Sequence, residues 1–168
     1  MIEALKPPFC QTDVVCSTGS YLDFLQTKQK THILSGFDVD EKQLNNKMFD
    51  FQKFIVKRAL KAGKYAIFAD CGLGKTLMQL EWANQVCKET KGKVLILAPL
   101  AVVGQTIQEG LKFGIDMANI DVQNYEQLDN IDCSIYSGVV LDESSILKNF
   151  EGATKKQIID NFIKTIKI

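Results

Sequence analysis

The stretch Tyr65-Ala66-Ile67-Phe68-Ala69-Asp70-Cys71-Gly72-Leu73-Gly74-Lys75-Thr76 decides the fold. A short apolar run meets a glycine-containing turn, and the turn runs straight into a helical pattern. Strand, turn and helix in that order give a phosphate-binding loop its meaning. Gly72 and Gly74 allow a tight turn that aims backbone N–H groups inward, and the helix N-terminus adds roughly half a positive charge. In this reading Gly72, Leu73, Gly74, Lys75 and Thr76 cradle a nucleotide. Lys75 reaches its outer phosphates, and Thr76 holds Mg²⁺. The usual pattern G-x-x-x-x-G-K-[ST] opens on glycine. Ala69 stands there, so the match departs at one position.

Outward from the loop, helical and apolar segments alternate. Upstream, Phe51, Phe54, Ile55, Arg58 and Ala59 repeat at helical spacing over 49–62, and Gly63 sits where a C-terminal cap belongs. Downstream, the pattern predicts helix 75–87, strand 94–98 ended by Pro99, helix 103–113, and strand 120–123. Strand 138–141, helix 153–162 and a strand-like start at 164–168 follow. The segment 65–69 is predicted as a strand as well. Strands without a polar face, separated by helices, indicate an α/β fold with a parallel sheet covered on both sides. Residues 1–45 read as an N-terminal extension: Pro7-Pro8 opposes helix, Ser20 caps a short helix over 21–30, and 35–47 is a polar connector. The nucleotide-binding domain is then 46–168.

The composition removes several function classes. The 168 residues carry 20 basic and 20 acidic side chains, so bulk positive charge does not hold this chain to nucleic acid, although a local groove is compatible with the balance. No apolar run approaches the roughly 20 residues needed to span a bilayer. The start, MIEALKPPFC, lacks a signal-peptide pattern. The five cysteines form no C-x-x-C pair and His32 is the only histidine, so a zinc site is not expected. Reduced thiols in a cytoplasm fit best, each cysteine acting as a small buried apolar residue.

A second acidic site follows the apolar run Gly138-Val139-Val140-Leu141. Open parallel sheets bind ligands at the C-terminal ends of their strands, and Asp142-Glu143 stands at such an end. Asp142 suits a Mg²⁺ shell, and Glu143 suits the activation of water.

Together these segments resemble superfamily 2 helicases and translocases. Phe49-Asp50-Phe51-Gln52 is similar to the Q motif, which implies that Gln52 binds adenine. Leu97-Ala98-Pro99-Leu100 through Gln105 resembles motif Ia, which implies that the region from Pro99 to Gln105 follows a nucleic-acid backbone; the residues themselves leave DNA and RNA both open, with DNA the favoured of the two. Leu141-Asp142-Glu143-Ser144-Ser145-Ile146-Leu147-Lys148-Asn149 is similar to the Swi/Snf-like form of motif II; Ser144-Ser145 sets it apart from strict DEAD- and DEAH-box enzymes. The whole run looks like the N-terminal RecA-like lobe of phage and prophage DEAD-like helicases.

The resemblance implies a three-layer P-loop NTPase sandwich and an ATP hydrolase using ATP and Mg²⁺. It implies Lys75 and Glu143 as catalytic residues, and Thr76 and Asp142 at the metal. It also implies a second RecA-like lobe, in cis or in trans, supplying arginine fingers. In the family, a motif III strand lies between the loop strand and the motif II strand. The chain ends as that strand would begin, so an incomplete sheet is expected. Without arginine fingers hydrolysis falls by roughly 10³–10⁵. A non-catalytic nucleotide-binding module, or a split helicase fragment, is the alternative. A small phosphotransferase needs a lid with several arginines, and Arg58 is the only one present.

Overall fold

The computed structural model describes residues 34–143. The expected helices over 21–30 and 153–162, the strand-like end at 164–168, and motif II beyond Glu143 lie outside the described residues.

Three helices and three parallel strands make up this part. Helix α1 is Asp50–Ala62, α2 is Lys75–Thr90 and α3 is Leu100–Phe113. Strands β1 (Lys93–Ala98), β2 (Ile120–Asn124) and β3 (Tyr136–Leu141) form one sheet in the order β2-β1-β3. All pairings are parallel. The central strand shows why the run VLILA has no polar face: Val94 to Ala98 are buried without exception.

Both faces of the sheet are covered, by different means. Val94, Ile96, Ile120 and Val122 point into a core with Val56, Ala59 and Leu60 of α1 and Leu77, Leu80, Ala83 and Val86 of α2. Leu95 and Leu97 point to the other face, where Tyr125, Leu128, Cys133 and Tyr136 cover them. On that face the cover comes from two 3-10 turns, Tyr125–Asn130 and Cys133–Ile135. The β1-to-β2 connection is α3, whereas the β2-to-β3 connection crosses back over β1 on the opposite face. Reversing both direction and face keeps the two crossovers of one hand, as strand twist demands. A register shift beside Lys93/Val94 places Tyr136, then Gly138, against consecutive β1 residues. That irregularity lets Tyr136 join Leu95 and Leu97 while Gly138 faces α2.

Helix ends follow local chemistry. Gly63 (φ 75°) and Gly114 (φ 73°) stop α1 and α3 in backbone regions that L side chains avoid. The α3 C-terminus is also capped from a distance. The Asn45 side-chain amide donates to Phe113 O at 3.0 Å, and Lys47 Nζ donates to Lys112 O at 2.9 Å. The polar connector is therefore part of the packed body: its Val39 and Leu44 are buried, as is Met48 just after it.

The predicted strand at 65–69 is corrected. The segment alternates exposed and half-buried residues as a strand does, but it pairs with no strand among the described residues. Ile67 and Ala69 pack against the core while Phe68 is 96% exposed. Strand identity depends on a hydrogen-bonded neighbour as well as on side-chain pattern.

Candidate functional site

The loop after residue 69 carries the expected backbone. Gly72 (φ 81°) and Gly74 (φ 73°) are left-handed, and Gly74 is the N-cap of α2. Lys75 begins the helix and folds back over the loop. Its Nζ donates to Ala69 O at 2.9 Å and to Asp70 O at 3.2 Å. The ammonium is thus held by two backbone carbonyls of the loop, at the place where the resemblance puts phosphate. Thr76, on the first turn of α2, is half-buried.

Gln52 connects this loop to α1. Its Oε1 accepts from Phe49 N–H at 3.0 Å, tying down an N-terminal donor of α1. Its Nε2 donates to Leu73 O at 2.9 Å. A β-carbon at Gly74 would lie 2.4 Å from that same nitrogen, so the glycine also makes room for the clasp. The amide keeps one N–H and one lone pair for a further partner, the complement of an adenine edge.

Beside the clasp is a cleft of about 330 Å³, lined by Lys47, Phe49, Phe51, Leu77, Glu109 and Phe113 as well as Gln52 and the loop. That volume is at the small end of ligand sites. Phe49 and Phe51 stack with ring centroids 6.1 Å apart and an interplanar angle of 9°. Lys47 Nζ lies 5.9 Å from the centre of the Phe113 ring. Sequence reading identified Gln52 here but not Lys47, Glu109 or Phe113. Lys47 and Phe113 are far apart in sequence and meet through the capping of α3.

Asp142 and Glu143 stand at the C-terminal end of β3. Asp142 N–H donates to Leu97 O at 2.8 Å, extending the β1 pairing by one residue. Glu143 has φ 53°. The packing of α2 on β3 relates this turn to the loop. A β-carbon on Gly138 would touch Trp82 and Val86 at 3.2 and 3.3 Å, so the middle of α2 lies directly over the start of β3. From that level Thr76 is about 9 Å up the helix, at 1.5 Å per residue. Asp142 is about 13 Å up the strand, at 3.3 Å per residue. The two elements run antiparallel, so both residues lie toward the same end of the sheet.

Tyr125 was not singled out from the sequence. It directly follows β2, is buried, and donates its hydroxyl to Asp142 O at 2.6 Å. Burial, then the nearby Asp142 and Glu143 charges, push its ionisation far above the ordinary tyrosine range. Tyr136 donates to Asp121 Oδ2 at 2.8 Å, and its ionisation is pushed up to about 12, chiefly by burial and then by that bond. Cys71 is exposed inside the loop, contrary to the general expectation of burial, whereas Cys133 is buried.

Among the described residues no group of three or more His, Cys, Asp or Glu side chains is placed to hold a metal ion. A hydroxyl and one carboxylate fit Mg²⁺, which keeps waters and binds through one or two carboxylates plus substrate phosphates. The region from Pro99 to Gln105 forms the N-cap and first turns of α3, with Leu100, Ala101, Gly104 and Gln105 exposed.

No family model matches the chain. Among solved structures it is similar to the UvsW helicase from bacteriophage T4, with a TM-score of 0.66 and 16% sequence identity. The match covers 86% of this chain and 65% of the helicase chain, so this chain spans less than two thirds of that protein's length. The fold is α/β with a small parallel sheet, as in the RecA-like lobe of that helicase. Among the described residues, no helix is long and apolar enough to cross a membrane.

Proposed function

We propose that this chain is the ATP-binding N-terminal lobe of a nucleic-acid-dependent ATPase of the helicase and translocase type. The observation that carries the reading is the Lys75 ammonium bridging the carbonyls of Ala69 and Asp70, with the Gln52 clasp on the same loop. An outer phosphate bound here exchanges two neutral acceptors for an anionic one, a stronger partner for the ammonium. Gly72, Leu73 and Gly74 supply the turn, Thr76 and Asp142 would hold Mg²⁺, and Gln52 would read the adenine edge beside Phe49 and Phe51. When bound, Mg²⁺ neutralises charge that develops on the phosphates. Glu143 is the group that orients or deprotonates the attacking water.

Turnover is proposed to need a second lobe. Arg58 is the only arginine, and it lies exposed on α1, so stabilising guanidinium groups come from elsewhere. The same observation favours the second reading, a module that binds nucleotide without efficient hydrolysis.

The polymer is proposed to be DNA, held along the region from Pro99 to Gln105. A chain of zero net charge makes few phosphate contacts, so its affinity should still fall with salt, with a shallow slope. Fluorescence polarisation of labelled DNA, titrated with the chain at rising salt in ATP and Mg²⁺, tests this. Salt-weakened binding that competes with unlabelled DNA is expected. Binding indifferent to salt, or none, would count against a nucleic-acid role.

A further inference from the structure

We propose that Tyr125 is a positioning residue for the acidic turn, its hydroxyl fixing the peptide that joins Asp142 to Glu143. This rests on the nucleotide reading above and adds to it a residue outside every motif that reading used.

The geometry is specific. A carbonyl oxygen only accepts, so the 2.6 Å contact commits the tyrosine proton to Asp142 O. The ring is buried with Leu95, Leu97 and Leu128 on the face of the sheet opposite α2. Its base is fixed too: Asn124, the last residue of β2, accepts from Gln127 N–H at 3.1 Å and starts the 3-10 turn that carries Tyr125. The sheet order makes the hydroxyl a strut. Strands β2 and β3 flank β1, which places them roughly 9–10 Å apart, and Tyr125 reaches from the end of one to the end of the other.

Asp142 is consequently held at both of its peptides. Its N–H bonds to Leu97 O on β1, and its carbonyl bonds to Tyr125. The next residue, Glu143, has φ 53°, a left-handed conformation that disfavours L side chains. The carbonyl that Tyr125 grips belongs to the peptide leading into that residue, so the bond opposes rotation toward ordinary φ. Without the bond Asp142 keeps only its N–H anchor on Leu97 O, so the strand end that carries its carboxylate loosens and the Glu143 side chain can swing. A tyrosine needed only for packing would act equally well without its oxygen.

The test is Tyr125→Phe, which keeps the ring and removes the strut. ATP affinity is measured by equilibrium dialysis in EDTA and again with excess Mg²⁺, and the ratio of the two affinities is the readout. The expected result is unchanged affinity in EDTA and a Mg²⁺-dependent gain reduced by roughly three- to tenfold, the worth of one hydrogen bond. Combined with Asp142→Asn, Tyr125→Phe should have no further effect on that ratio, because it acts through Asp142. An equal Mg²⁺ gain in wild type and Tyr125→Phe overturns the proposal while leaving the nucleotide site intact. Additive losses in the double variant overturn it as well, since they show a general loosening. Absence of ATP binding by the wild type overturns the nucleotide reading and this proposal together.

Discussion

Replacing Gln52 with alanine tests the link between α1 and the phosphate loop. The side chain is only 3% exposed, and each end of its amide has one partner. Alanine removes the acceptor for Phe49 N–H, and loss of such a cap costs roughly 0.5–2 kcal/mol. It also removes the donor to Leu73 O, and a carbonyl left short of a partner adds about 1 kcal/mol. The expected total is about 1.5–3 kcal/mol. For a chain of this size each kcal/mol lowers the thermal midpoint by about 2–4 °C, so Gln52→Ala should unfold roughly 3–12 °C below wild type. Gln52→Glu keeps the acceptor for Phe49 but sets a buried carboxylate oxygen against Leu73 O, and should cost at least as much as alanine. Circular dichroism gives the midpoints, and amide hydrogen exchange over residues 72–76 reports the loop. Both variants should raise exchange there. A midpoint for Gln52→Ala within about 1 °C of wild type, with unchanged exchange, would refute the clasp.

Other expectations follow from packing, chemistry and charge. Gly138→Val drives a branched side chain into Trp82 and Val86 and should destabilise by about 1–3 kcal/mol, whereas Gly104→Ala meets nothing within 4 Å and should stabilise α3 by roughly 0.5–1 kcal/mol. Urea denaturation compares the two, and matching effects would contradict the packing of α2 on β3. Glu143→Gln should retain ATP binding and abolish residual phosphate release; unchanged release would remove Glu143 from the catalytic role. The Tyr136 ionisation is raised on folding, so its stabilising contribution is complete below the unfolded value near pH 10 and is lost as pH rises through about 12. Tyr136→Phe should therefore show a shallower loss of stability over that range, and identical slopes would contradict the Tyr136–Asp121 bond.

Much of the fold was legible where local signals suffice. The spacing of Gly72, Gly74 and Lys75 announced a turn that opens a helix, and the helix starts at Lys75. The continuous run from Val94 to Ala98 announced a strand buried on both faces, and it is the central one. What failed depended on partners far away in sequence. Residues 65–69 have the alternation of a strand but no hydrogen-bonded neighbour among the described residues. Helix α3 begins at Leu100 and not Val103, because Pro99 is its N-cap and the helix starts at once. Strand β3 begins at Tyr136 and not at Gly138: Tyr136 pairs with Lys93, and the polar Ser137, skipped in the register, separates it from the apolar run.

Burial of polar groups was also hidden. Glu81 is almost fully buried, its carboxylate accepting from Gln85 at 2.7 Å and from Asn84 at 3.3 Å. Helix α2 buries most of its circumference, so its sequence shows no clear apolar stripe. At the candidate site, Lys75 and Thr76 were singled out from motif spacing and Gln52 from the resemblance to the Q motif. Tyr125 was not, because its contact with Asp142 exists only once β1 has been inserted between β2 and β3.

The most direct test is ATP binding by this chain in excess Mg²⁺, measured by equilibrium dialysis for wild type and Lys75→Ala. A charge-assisted bond of the kind Lys75 would make is worth about 1.5–3 kcal/mol. The account therefore predicts saturable binding by wild type and at least roughly tenfold weaker binding by Lys75→Ala. Equal affinities, or no saturable binding by wild type, would contradict it.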